Sequence, residues 1–207
     1  MARATDGRAS DAPRDAVALL KQDHRMVEAL FGEFEEAEEE EQSSLAERIC
    51  NMVTVHAQIE EEILYPAAKE ALSEDEEEAE LVTEAEVEHA SAKELIAKIE
   101  AMTPDDETFK ATVKVLGEYI KHHVKEEEGE MFPALRKTEL DLKELGSQLA
   151  ERKFALMEEM GIEEEAPPPA KRKQSSSSRS KSASKSRQAR AGARSKSSRS
   201  SGSRTRH

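Results

Sequence analysis

The chain has 207 residues with no Trp, one Cys and few Gly or Pro, and 37% of its side chains are charged. That length suits one domain with tails, the single Cys50 excludes an intrachain disulfide framework and a Cys-based zinc cluster, and no apolar run reaches the roughly 18 residues that cross a bilayer. The net charge of −14 hides a division: residues 167–207 hold 13 of the 31 Lys and Arg and no acid, which leaves 18 basic against 45 acidic side chains ahead of them, a balance of −27.

Along the chain, residues 1–12 read as a disordered N-terminus, and Met1 to Arg8 lacks the apolar core of a signal peptide, so the expected location is cytoplasmic. A first helix is expected to open near Asp11 and Pro13, with an inward seam of Val17, Leu20, His24, Val27, Phe31 and Phe34 at steps of three and four. A second is expected after Ser43-Ser44, its seam Ile49, Met52, His56, Glu60 and Ile63. Ser73 is the expected cap of a third, with Val82, Ala85, His89, Ala92, Ile96 and Ile99 inward. Thr103-Pro104-Asp105 precedes a fourth, with Val113, Leu116, Ile120, His123 and Glu127. A fifth, Leu140 to Met160, places Leu142, Leu145, Leu149, Lys153 and Leu156 on one side to pack across the others.

The expected organisation is therefore a folded body over 13–160 and a disordered basic tail over 161–207, Pro-rich at first and then Ser/Arg/Lys-rich. With almost nothing apolar to bury, such a tail cannot offset its ordering entropy. Short connections between long helices favour antiparallel neighbours. The fold class is accordingly all-α: an up-down-up-down antiparallel four-helix bundle with an additional C-terminal helix.

One segment occurs twice, 67 residues apart: His56-Ala57-Gln58-Ile59-Glu60-Glu61-Glu62-Ile63-Leu64-Tyr65-Pro66 and His123-Val124-Lys125-Glu126-Glu127-Glu128-Gly129-Glu130-Met131-Phe132-Pro133. In each copy a His and a Glu stand four apart, hence one turn apart on one helix face. A further His precedes each copy, His24 and His89. His24, His56, His89 and His123 each replace an apolar residue in a seam, one per helix. Heights estimated at 1.5 Å per residue bring them to one level of the bundle, roughly 20 Å from the first hairpin. Burying four imidazoles and two carboxylates with no cation would cost several kcal/mol per unpaired charge. The pattern reads as a metal site. His122 and Glu126 form a competing pair, but the equal spans of His56 to Pro66 and His123 to Pro133 favour His123, and His122 is turned about 100° from the seam, onto the helix flank.

These residues resemble the hemerythrin family, in particular its His-His-Glu cation-binding branch. The resemblance runs through Leu19-Leu20-Lys21-Gln22-Asp23-His24, both His-x3-Glu-Glu segments with their Tyr-Pro and Phe-Pro endings, and Leu140-Asp141-Leu142-Lys143-Glu144-Leu145-Gly146. It implies two non-haem iron ions with His24, His56, His89 and His123 as terminal ligands and Glu60 and Glu127 as bridges. The same donors suit zinc or manganese less specifically. Tyr65 and Phe132 are expected in the core. Glu61, Glu62, Glu126 and Glu128 are expected on a solvated face, one of them a candidate to steady a ligand imidazole.

The sequence departs from the oxygen-carrying members, which place a second His on the third helix where Ala85 and Lys93 flank His89 here. A remaining coordination position is left to water, to Glu86 or to an exogenous ligand. The implied function is binding or reacting with O2, nitric oxide or peroxide, or sensing iron or oxygen. Glu86-x-x-His89 matches half of a ferritin-like pattern, without the second copy that such a centre needs. The alternative is a nucleic-acid-associated accessory protein, nucleoid-associated through residues 171–207, with a structural metal bundle. The tail's positive charges suit phosphates without sequence preference, although no aromatic is interleaved for base stacking. The acidic runs Glu35–Glu41 and Glu74–Glu78 are competing partners for it within the chain.

Overall fold

The structure is a computed structural model that describes residues 15–162. Asp11, Pro13, the loose N-terminus and the tail beyond 162 lie outside the described residues. Within them the chain is helical and contains no strand, and no helix is long and apolar enough to cross a membrane.

The long helices are α1 (Ala16–Glu36), α2 (Glu39–Ile59), α4 (Glu76–Glu100), α5 (Phe109–Glu126) and α7 (Leu142–Glu159). Two π-turns, Glu60–Leu64 and Glu127–Met131, carry α2 into the short α3 (Tyr65–Ala71) and α5 into the short α6 (Phe132–Leu135). Around the bundle α1 packs on α2, α2 on α4, α4 on α5 and α5 on α1, while α7 lies against α1, α2 and the first π-turn.

Helix starts follow local chemistry more finely than the expected caps. The carboxylate of Asp15 accepts from Ala18 N–H and opens α1. Ser43 and Ser44 lie inside α2, which starts at Glu39 because Glu39, Glu40 and Glu41 in its first turn suit the positive end of the helix dipole. Asp75, not Ser73, caps α4 by accepting from Glu77 and Glu78 N–H. Residues 103–108 form a turn in which the Asp106 carboxylate accepts from Thr103 N–H and Oγ1–H, so α5 opens only at Phe109. Asp141 caps α7. At its far end Gly161 takes a left-handed φ of 66°. Ile162 N–H then closes back on Met157 O, and Ile162 packs against the core.

The core divides into two parts. One holds Leu19, Leu20, Ile59, Tyr65, Phe132 and Leu149. The other holds Val27, Ile49, Val53, Ile96, Val113 and Leu116. Between them lie buried polar side chains: Asp23, His24, His56, Glu60, His89, His123 and Glu127.

Candidate metal centre

Both His-x3-Glu segments leave the α-helix at the Glu. Tyr65 N–H bonds to Glu60 O, and Phe132 N–H to Glu127 O, each closing a turn one residue wider than an α-turn. Pro66 and Pro133 supply the cause: proline has no N–H to give, and its ring clashes with the carbonyl four residues back. A π-turn relieves the clash by inserting one residue. The inserted residue shifts the inward face, so Leu64 and Tyr65 are buried and Ile63, expected inward, is only partly so.

The structure brings together all six residues of the repeated pattern. His24 Nε2 lies 3.1 Å from His56 Nε2, and His89 Nε2 lies 3.1 Å from His123 Nε2. Glu60 Oε2 reaches both pairs, at 3.2 Å from His56 Nε2 and 3.5 Å from His89 Nε2. Glu127 Oε2 likewise lies 3.3 Å from His24 Nε2 and 3.5 Å from His123 Nε2. Two donor groups result, His24, His56, Glu60 and Glu127 on one side and Glu60, His89 and His123 on the other.

Every imidazole turns its other nitrogen toward a carboxylate. His24 Nδ1 donates to Glu128 (2.9 Å), His89 Nδ1 to Glu61 (3.1 Å) and His123 Nδ1 to Glu88 (2.9 Å). His56 Nδ1 faces Asp23 Oδ2 at 3.7 Å. Three of these carboxylates are in turn held by a lysine, Glu128 by Lys21, Glu61 by Lys93 and Asp23 by Lys153 of α7, while Glu88 has no lysine and lies 3.6 Å from His122 Nε2, beyond hydrogen-bond reach. A carboxylate accepts but does not donate, so Glu128, Glu61 and Glu88 keep the proton of His24, His89 and His123 on Nδ1 and leave Nε2 as a lone pair aimed inward, whereas His56 Nδ1 and Asp23 Oδ2 are too far apart for a hydrogen bond.

Facing lone pairs and carboxylate oxygens form a donor set that a cation would satisfy. Both oxygens of Glu60 and Oε2 of Glu127 are buried without a hydrogen-bond donor. Burial drives the Glu60 carboxyl well above its usual range, with the charge of Glu127 adding to it. Burial acts upward on Glu127 too, but His123, His24 and His56 outweigh it and hold it down at about 2. The imidazoles respond to the same crowding. Burial lowers His56, and burial with His123 lowers His89 to about 3. His123 is raised, because Glu127 and Glu88 outweigh its burial.

Further side chains join the six. Tyr65 is more than core: its hydroxyl donates to Glu127 Oε1 at 3.1 Å and lies 3.1 Å from His89 Nε2. Phe132, its counterpart in the repeat, stacks on His24 with ring centroids 5.9 Å apart. Glu61 and Glu128 steady imidazoles instead of facing solvent alone, whereas Glu62 pairs with Arg152 of α7. Asp23 and Glu88 were not singled out, although Asp23-His24 and Glu88-His89 repeat an acid-His dipeptide. Glu86 is outside the site, on the surface with Lys69 at 2.7 Å. His122 sits on the flank, 60% exposed. On the side of the imidazoles toward the second core lies a cavity whose walls include Val27, Val53, Ala92, Ile96 and Ile120.

Similarities to known proteins stand beside this geometry. Residues 15–135 match the family model described as the hemerythrin HHE cation binding domain. The fold is similar to the crystal structure of a hemerythrin HHE cation binding domain-containing protein from Mycobacterium kansasii, with a TM-score of 0.61 and 23% identity over 70% of this chain and 88% of that one. A curated relative, a DNA nickase of Nostoc sp. (strain PCC 7120 / SAG 25.82 / UTEX 2576), is 29% identical over 119 residues, which are 57% of this chain. The match spans 32% of the nickase's length.

Proposed function

Because this chain belongs to the hemerythrin HHE cation-binding family, we propose that it holds two non-haem iron ions and binds or reacts with a small exogenous ligand. His24 and His56 would serve one ion, His89 and His123 the other, with Glu60 and Glu127 shared. The observation that carries this reading is the set of buried, donorless oxygens of Glu60 and Glu127 among four inward Nε2 atoms. Imidazole and carboxylate donors suit iron, and iron supplies redox capacity with coordination positions open to a small molecule.

The chain's own residues favour O2 or nitric oxide over peroxide. Away from the imidazoles the cavity is walled mainly by apolar side chains, with Thr54 and Lys93 the other polar residues in its lining, a wall that suits a neutral diatomic better than peroxide. Tyr65 holds Glu127 in place by a hydroxyl hydrogen bond.

Metal analysis and the visible spectrum of the full chain test the reading, with His56→Ala and Glu127→Ala as variants. Two irons per chain, with an absorption that responds to O2 or nitric oxide and is lost in both variants, is the expected result. A folded chain that takes up no iron, or holds zinc with no spectral response, overturns it.

A second reading concerns residues 171–207, as a salt-sensitive contact to nucleic acid. Their cationic composition and the nickase relative favour it. A DNA mobility shift that vanishes on deletion of 167–207 supports this, and an unchanged shift contradicts it.

A further inference from the structure

The centre has an approximate internal two-fold relation, and the two halves differ on their outer faces. Asp23 and His24 repeat 65 positions on as Glu88 and His89, and His56 and Glu60 repeat 67 positions on as His123 and Glu127. On the first half the positions outside the ligands are Leu19, Val55 and Ile59, all buried. Helix α7 lies over that half and sends Lys153 to Asp23. The related positions on the second half are Glu84, His122 and Glu126. Polar side chains thus stand where the other half has a sealed apolar contact.

Two observations meet on this face. Glu88, His122 and Glu126 present ligand atoms within 4.8 Å of one another. His122 Nε2 lies 3.1 Å from Glu126 Oε1 and 3.6 Å from Glu88 Oε1. Independently, a cavity lined by Glu84, Glu88 and Glu126 runs inward to His123 and Glu127, and Glu127 is 1% exposed with a donorless Oε2. Glu88 links the two levels directly, one oxygen toward His122 and the other bonded to His123 Nδ1.

We infer that Glu88, His122 and Glu126 form an entry site where a small divalent cation such as ferrous ion lands before passing between α4 and α5 to His123 and Glu127. This rests on the reading of the buried cluster as a metal centre. Imidazole and carboxylate are ligands for such an ion. Three donors on an open face bind it weakly, which suits passage more than storage. The acidic rim concentrates cations at the mouth of a low-dielectric cleft, an effect that raises on-rates.

The test is ferrous ion added anaerobically to the metal-free full chain, quenched with a chelator after set times, and the iron retained by protein counted. His122→Ala/Glu126→Gln is compared with wild type and with Glu41→Gln/Glu47→Gln, which removes charge on α2. The inference expects uptake at limiting iron to slow about tenfold in the first variant, with the final iron content and helical circular dichroism unchanged and the control near wild type. Equal rates in all three overturn it, as does equal slowing in the control, which would reflect overall charge. A lower final content in the first variant also overturns it, assigning those residues to the buried centre or its support. A wild-type chain that retains no iron at any time would remove the buried-centre reading itself, and the final content distinguishes that failure from the others.

Discussion

Glu60 sets two carboxylate oxygens in a fully buried place with no donor to meet them. Without a cation such a group works against folding, and replacing a buried charge by a well-packed apolar side chain is commonly stabilising. Glu60→Met should therefore stabilise the metal-free chain by about 1–4 kcal/mol in urea unfolding and remove stoichiometric metal binding. A variant less stable than wild type when both are metal-free would mean that the carboxylate has a partner within the chain. The polar members of the helical seams were readable in the sequence because His24, His56, His89, His123, Glu60 and Glu127 interrupt apolar periodicity. Asp23 and Glu88 were not, and among Glu61, Glu62, Glu126 and Glu128 the sequence offered one as a candidate to steady an imidazole without saying which, since a seam fixes where Cβ points and not where a long side chain ends. Tyr65 is in the core as expected, and its hydroxyl contact with Glu127 was not readable because the π-turn ahead of it changes the face it presents.

At the scale of elements, the number and order of the long helices were legible from spacing, while the short α3 and α6 beyond the π-turns were not and the starts were set by competing caps. Asp15, Asp75 and Asp141 use their carboxylates to bind first-turn N–H groups. Ser43 and Ser44 lost to a run of Glu that stabilises an earlier turn. Helix α7 is placed by Gly146, where a Cβ would come within 2.6 Å of Ala16 N and 2.7 Å of Asp15 C. The backbone of α1 cannot yield there without disturbing its own cap. Gly146→Ala should accordingly cost about 1–3 kcal/mol through overpacking, seen as a lower midpoint in thermal or urea unfolding. An unchanged midpoint would mean that α7 lies less tightly on the start of α1.

For the molecule as a whole, the duplicated segment becomes two related halves around one set of converging donors. Each buried imidazole faces a carboxylate, and Lys21, Lys93 and Lys153 pair with three of those carboxylates, while Glu60 and Glu127 stay at the centre among the imidazoles. A ligand that binds only the folded chain stabilises it, by about 2.7 kcal/mol at a free concentration 100 times its Kd. Iron loading should therefore raise the unfolding midpoint of wild type and leave that of His56→Ala/Glu127→Ala nearly unchanged. An equal rise in both would place the stabilising metal elsewhere, for instance on the acidic surface.

The most direct measurement is anomalous diffraction at the iron edge from crystals of the iron-loaded chain. The account predicts two peaks, one beside His24 and His56 and one beside His89 and His123, both in contact with Glu60 and Glu127. A protein with iron bound in solution but no anomalous peak among these six side chains would contradict it.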